Sequence, residues 1–555
     1  MPFISGKQAF LEILSQEGVS IMFGNPGTTE LPLMDGLARE PRIRYVLALQ
    51  EAVAIAMADA YAQASGGIAA VNVHTSPGLG NAMGMLYDAM KSGAPMLLTA
   101  GQHDQCFTVT EPILWSDLPP VAHPFVKWST EARRLEDLPR IVRRACKTAT
   151  AHPTGPVFLS LPVDVLNAER DVDLLAPTRV DSRLRGSRAA VKTAAERLAQ
   201  AKRPIIVAGD AVAHGDAINE LIEVAELVGA PVVTEGVAST CNFPFTHPLH
   251  AGSLPRLAPP IRALMLQHDL VFSVGADLFT LSLPSDVEPM PSGLEIVHLD
   301  VNPWELGKNY PASVAIQCDP KETLPDIAEA LRSRLGAKGH PDAAKRLAAV
   351  RDAQAAERDE LARRAQKESL QVPISPLSLV HAVAQRIPDD GVIVDETISS
   401  GGGLRHFLRC GDPKSYFGLR GGGIGWGLPG AIGVKLALPQ RPIIALVGDG
   451  SAMYTNQALW TAAREGLAVV YVIFNNRSYR ILKQRTLGLK GFSAEDDHYV
   501  GMDLLPPIDF VGLAKSLGVP GERVEKTADV AGALDRGLAS SGPYLIDVPI
   551  DGSFK

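Results

Sequence analysis

Arg441-Pro-Ile-Ile-Ala-Leu-Val-Gly-Asp-Gly-Ser451, a helix-patterned stretch to Leu467, and then Val469-Val-Tyr-Val-Ile-Phe474 closing on Asn475-Asn476 together decide how this chain folds. The run from Arg441 to Val447 is almost continuously aliphatic, as expected of a strand buried on both faces of a parallel sheet. From Met453 to Leu467 the apolar residues Leu459, Trp460, Ala462, Ala463 and Leu467 recur at helical spacing, and Val469 to Phe474 again reads as a buried strand. This is a βαβ unit. In such a unit both strands end on the same sheet edge, where ligands bind, so Asp449 and Asn476 converge there despite their separation in sequence. One carboxylate with amide and carbonyl oxygens suits Mg2+, and Gly448 and Gly450 let backbone N–H groups approach a phosphate. An isolated Gly-Asp-Gly would be read as a plain turn; the strand–helix–strand context argues for a diphosphate-and-metal site instead.

Working outward, 555 residues with 46% hydrophobic and 21% charged content describe an ordinary globular protein of about three or four domains. A net charge of −8 argues against nucleic acid as a partner. No apolar run approaches the ~18 residues of a membrane span, and Met1-Pro-Phe-Ile-Ser-Gly-Lys7 lacks signal-peptide character, so a cytoplasmic location is expected. Cys106, Cys146, Cys241, Cys318 and Cys410 are odd in number and widely spaced, which suits reduced thiols.

Three segments alternate strand-like and helix-like patterns. The expected organisation is α/β throughout, with three doubly wound parallel-sheet domains. They span residues 1–182, 188–335 and 371–555, with a charged helical connector over 336–370.

Glu51 follows Tyr45-Val-Leu-Ala-Leu-Gln50 and precedes Ala52-Val-Ala-Ile-Ala-Met57, an apolar neighbourhood for a carboxyl group. Such a setting favours exchange between charged and neutral forms, the property general acid–base work needs. Taken alone, this segment also fits a helix N-terminal glutamate favoured by the macrodipole. His74 precedes Thr75-Ser-Pro-Gly-Leu-Gly-Asn81, read as a loop at a strand end. An imidazole there can relay protons, although a lone histidine is more often structural. Gly24-Asn-Pro-Gly-Thr28-Thr-Glu-Leu-Pro32 reads as another strand-end loop, offering backbone N–H groups and the Thr28 hydroxyl.

Gly24 to Pro32, Leu49 to Ala52, His74 to Gly84, Gly421 to Gly430 and Asp449 to Asn476 together resemble the thiamine-diphosphate-dependent enzymes, in their benzoylformate-decarboxylase-like branch. The resemblance implies a pyrimidine-binding first domain, a middle domain and a diphosphate-binding third domain. It implies that Glu51 bonds the aminopyrimidine ring, that Thr28 and His74 face substrate, and that Ile424 is the wedge bending the cofactor. Mg2+ would be held by Asp449, Asn476 and the Ser478 carbonyl. Asn25, Pro26, Gly27, Glu396, Gly422, Gly448, Gly450, Ser451 and Tyr479 complete the implied cofactor contacts; for Glu396 a plain strand-end role carries equal weight. The implied assembly is a homodimer or homotetramer, with Glu51 and Asp449 meeting across the subunit interface.

The implied reaction is decarboxylation of a 2-oxo acid to an aldehyde and CO2, with carboligation as a side activity. Two departures bear on substrate. No histidine follows Gly275-Ala-Asp-Leu-Phe279 before His298, where that branch has a second active-site histidine, and the run Arg480-Ile-Leu-Lys-Gln-Arg485 is unusually basic. Both leave room for an acetolactate-synthase-like or hydroxyacyl-lyase-like carboligase taking an aldehyde acceptor. An FAD in the middle segment is a third alternative, but Gly209-Asp-Ala-Val-Ala-His-Gly215 is too weak a motif to support a nucleotide. A non-catalytic homologue would require loss of the glutamate or a metal ligand, and both are retained.

Overall fold

Every residue of the Val469–Asn475 strand is buried, and it lies parallel between Ile443–Gly448 and Tyr544–Pro549. In the computed structural model, which describes residues 2–554, these form the centre of a six-stranded sheet. Its edge-to-edge order is Tyr416–Gly418, Val392–Glu396, Ile443–Gly448, Val469–Asn475, Tyr544–Pro549, Gly521–Arg523, all parallel. Two further six-stranded parallel sheets precede it. The first runs Arg44–Leu47, Ile21–Gly24, Ala69–Val73, Met96–Gln102, Pro156–Pro162, Ser129–Glu131. The middle one runs His250–Ser253, Val232–Thr234, Pro204–Ala208, Leu270–Val274, Glu295–Asp300, Val314–Gln317. Parallel strands need crossovers, and helices on the sheet faces supply them, which explains why the strands read as aliphatic runs rather than alternating ones.

The first and third sheets share one core, built around the Glu51–Ser65 and Gly427–Ala437 helices. Gly433 makes this contact close: a Cβ there would overlap the Met57 carbonyl oxygen, so the two helices meet backbone to backbone. Trp426, just before the second helix, donates its indole Nε1–H to Asp59 Oδ2 at 2.8 Å. The Ala343–Lys367 helix is largely exposed, as its charged composition suggests. Among the described residues no helix is long and apolar enough to cross a membrane. All five cysteines are free, and only Cys106 is exposed.

Two expectations need correction. The helix expected from Met453 to Leu467 is two shorter helices, Asp449–Tyr454 and Ala458–Arg464. They break at Thr455, whose hydroxyl donates to the Gly425 carbonyl instead of serving a helix turn. The second correction concerns Thr75 to Asn81, which is the start of the Thr75–Ser92 helix and not a loop. Pro77 falls in the first turn, where a missing N–H costs nothing, so the Pro and Gly content misleads there.

Candidate active site

Two groups of polar residues form at the C-terminal ends of parallel strands, one in the first sheet and one in the third. In the first, Gln50 caps the Glu51–Ser65 helix through its own side chain, which accepts from Ala52 N at 2.5 Å. That frees Glu51 from capping. Its carboxyl is 5% exposed and accepts from Asn25 Nδ2 at 3.4 Å and from Asn81 Nδ2 at 3.1 Å, one amide on each oxygen. Gly78 packs against it, with space for a Cβ only 3.0 Å from Glu51 Oε1.

His74 stands immediately before the Thr75–Ser92 helix, and its Nδ1 lies 2.7 Å from Oε2 of Glu30. Glu30, within the Gly24-to-Pro32 run, carries no sequence signal of its own; in the fold it organises the whole loop. Only 1% exposed, it also accepts from Gly27 N at 2.9 Å, Gly101 N at 2.7 Å and Thr29 Oγ1 at 2.9 Å. A carboxylate receiving so many donors fixes the imidazole with Nδ1–H toward it and leaves Nε2 as the free ring nitrogen. Gly27 is required underneath, because a Cβ there would overlap the His74 ring. Ser76 donates to the Leu114 carbonyl at 2.7 Å, which ties the 103–117 loop, with its exposed Ile113 and Leu114, beside His74. Thr28 opens the short Thr28–Glu30 helical turn in the same loop.

The second group forms where Ile443–Gly448 and Val469–Asn475 end side by side. Asp449 begins the Asp449–Tyr454 helix; its Oδ1 accepts from Gly450 N at 2.9 Å and its Oδ2 from Arg477 N at 2.6 Å. Arg477 has φ 56°, and this left-handed turn brings Asn476 and Ser478 to the same place. Asn476 Oδ1 accepts from Ser478 N at 2.9 Å, and its amide reaches Ser400 Oγ at 3.4 Å, a residue no sequence signal marked. Burial pushes Asp449 up to about 6, and among the described residues no Lys or Arg side chain pairs with it. An uncompensated buried carboxylate beside an amide and a carbonyl oxygen is the donor set a hard cation would neutralise, so these residues fit Mg2+. Gly450 is held close by Tyr479, whose ring would lie 2.6 Å from a Cβ.

Glu396 ends the Val392–Glu396 strand and accepts at both oxygens, from Gly425 N at 2.6 Å and Gly427 N at 2.5 Å. Burial pushes it up to about 7 despite these bonds. In this structure it holds the backbone that follows Ile424, on either side of Trp426, so it is a loop clamp and more than a strand-end turn residue. Gly422, φ 90°, is exposed in the same loop.

The basic run after Tyr479 is bonded to neighbouring groups. Arg480 donates to the Ser553 and Ser399 carbonyls, Lys483 pairs with Asp503, and Arg485 donates to Ser282 Oγ at 3.2 Å. His298 is 2% exposed in the middle sheet, where burial pushes it down to about 4. It takes no part in either group. At the edge of the middle sheet a cavity of about 350 Å3 is lined by Asp210, Glu235, Asp277, Asp300 and Glu305 against Arg420 and Lys308. Arg420 is already engaged by Asp210 and Glu235. Carboxylates in excess repel a dinucleotide's diphosphate, so this crevice gives FAD no support.

All three sheets match one family along the chain. The N-terminal TPP binding domain of thiamine pyrophosphate enzymes covers residues 4–111, their central domain 191–327, and their C-terminal TPP binding domain 399–548. The chain belongs to the thiamine pyrophosphate enzymes. Within that family it is 33% identical to a benzoylformate decarboxylase of Pseudomonas aeruginosa over 544 residues, covering 98% of each chain. It is 29% identical to a probable acetolactate synthase large subunit of Methanocaldococcus jannaschii, covering 99% of this chain and 92% of that one. Its structure is similar to that of a Rhodococcus jostii thiamine diphosphate-dependent 4-hydroxybenzoylformate decarboxylase, with a TM-score of 0.88, 30% identity and full coverage of both chains. Like these thiamine pyrophosphate enzymes it is of decarboxylase or carboligase type, and the three-domain α/β architecture expected from sequence is the one the family and the fold share.

Proposed function

We propose that the chain is a thiamine-diphosphate- and Mg2+-dependent enzyme that removes CO2 from a 2-oxo acid with an apolar, benzoylformate-like side chain and releases the aldehyde. The observation that carries this reading is the His74–Glu30 pair, a histidine fixed through Nδ1 with Nε2 left to give or take a proton, in the same group as Glu51.

When bound, thiamine diphosphate supplies the electron sink that decarboxylation needs. Glu51, oriented by one amide on each oxygen, is placed to exchange a proton with a ring nitrogen. His74 and the Thr28 hydroxyl handle the substrate's protons and carboxylate. Leu114, tethered beside His74, offers apolar contact to the side chain of the acid. Asp449, Asn476 and the Ser478 carbonyl hold Mg2+. Gly448 and Ser451, at the start of the Asp449–Tyr454 helix, receive the diphosphate through backbone N–H groups, and Gly450, lacking a side chain, lets it approach. Asn25, Pro26, Gly27 and Tyr479 complete the cofactor's surroundings.

We place the complete site between two copies of the chain, in a homodimer or homotetramer. In support, no hydrogen bond or ion pair among the described residues joins the Glu51 group to the Asp449 group. Carboligation with an aldehyde acceptor is the second reading, favoured by the missing second histidine. The ion pair of Lys483 with Asp503 weakens it by neutralising one cation on the acceptor side.

Protein loaded with thiamine diphosphate and Mg2+ is expected to convert benzoylformate to benzaldehyde faster than it converts pyruvate. Glu51→Ala is expected to abolish that turnover while retaining bound metal. Undiminished turnover in Glu51→Ala would sink the proposal, and a 2-hydroxy ketone as the main product would transfer it to the carboligase.

A further inference from the structure

The segment Arg420 to Gly427 is held by all three domains at once. Arg420 reaches the middle domain through Asp210 and Glu235. Gly425 and Gly427 are clamped within the third domain by Glu396, and Thr455 bonds the Gly425 carbonyl. From the first domain comes Asp88, near the end of the Thr75–Ser92 helix, whose Oδ1 accepts from Gly423 N at 3.0 Å. Asp88 is 2% exposed, and its Oδ2 is buried without a hydrogen-bond partner. The loop is cut to fit this carboxyl. A Cβ at Gly421 would overlap Asp88 Oδ1, and one at Gly423 would lie 2.8 Å from Oδ2. No such bond is made to Ile424, which sits between these anchors.

We propose that Asp88 is a positioning residue that sets the placement of Ile424 from the neighbouring domain, fixing the cofactor wedge before cofactor binds. This rests on the functional reading above for what the wedge does, but not for how the loop is held. The helix that supplies Asp88 is the one that follows His74 and carries Asn81 against Glu51, so at about 1.5 Å per residue it is a strut that sets His74 and Asp88 roughly 20 Å apart. Asp59 on the Glu51–Ser65 helix and Glu396 on the third sheet are the charged groups facing Asp88, and both disfavour its ionisation. Burial above all, and these two carboxyls after it, push it up to about 8; only Oδ1 is used as an acceptor, so an amide side chain can replace it.

The test uses the full-length chain without cofactor. Amide hydrogen exchange across residues 419–430 is expected to quicken ~10-fold in Asp88→Ala, about what one lost hydrogen bond is worth. Asp88→Asn, which keeps an acceptor, should stay within ~2-fold of wild type. Gly421→Ala displaces the carboxyl without altering it and should match Asp88→Ala, which keeps the proposal testable if Asp88→Ala does not fold. On adding thiamine diphosphate with Mg2+, the Kd should weaken ~10-fold in the two damaging variants and not in Asp88→Asn. Unchanged loop exchange in Asp88→Ala, or Asp88→Asn as damaged as Asp88→Ala, would overturn the proposal. If the wild-type chain itself fails to bind thiamine diphosphate, the functional reading fails, while the exchange data still decide the role of Asp88.

Discussion

Gly27→Ala is the smallest change that tests the catalytic reading, because it adds one methyl group and alters the chemistry of no proposed catalytic side chain. The added Cβ would lie inside 3.0 Å of Nδ1, Cγ and Cε1 of His74 at once. Rotating the ring cannot clear three of its own atoms, so the imidazole must withdraw from Glu30. The change then costs the 2.7 Å contact with Glu30 and the 3.3 Å contact with Thr29. A hydrogen bond to a charged group contributes about 1.5–3 kcal/mol, and displacing a catalytic group by about 1 Å lowers rate by ~100-fold. Both routes predict kcat reduced by ~10- to 100-fold with KM for the 2-oxo acid nearly unchanged, since the loss falls on proton transfer. Steady-state kinetics on cofactor-saturated enzyme measure this, with thermal unfolding as a control for folding. His74→Ala should be no worse than about threefold below Gly27→Ala if both act on the same step. A Gly27→Ala enzyme with kcat within about threefold of wild type would refute the assignment of His74.

Asp449→Asn should abolish the gain in Tm that Mg2+ with thiamine diphosphate gives wild type; calorimetry with and without EDTA checks this. Burial raises Asp300 from 3.8 to about 7, so its neutral form contributes stability that is complete below about pH 4 and is lost as pH rises through 7. Asp300→Asn, which can still accept from Asn302 N, should flatten the decline in unfolding free energy across that window by up to about 1.4 kcal/mol per pH unit, measured by denaturant unfolding across pH. Gly433→Leu should cost about 3 kcal/mol or more by forcing apart two helices in backbone contact, read as loss of soluble protein or a lowered denaturant midpoint.

Strand identity was legible wherever burial on both faces leaves an unbroken aliphatic run, as at Pro204–Ala208 and Leu270–Val274, because the pattern depends only on local composition. It was misread where local punctuation contradicts a helix that tertiary packing tolerates, as at Pro77 and the glycines of the Thr75–Ser92 helix. The residues missed in the site, Glu30, Asn81, Asp88 and Ser400, have no spacing motif. Their roles arise from contacts between segments far apart in sequence, such as Asp88 with Gly423.

The sequence by itself determined the βαβ unit ending in Asp449 and Asn476, the glutamate at position 51 and, through them, the family. A strand end followed by a glycine-flanked carboxylate is a local arrangement that the order of residues encodes directly. Only the tertiary structure decided that Glu30 fixes His74, that Glu396 clamps the loop around Ile424, and that the basic side chains after Tyr479 are spent on their neighbours. These depend on which buried donors and acceptors meet once three sheets pack together, and pairing of that kind is set by geometry over long sequence distances, not by any local pattern.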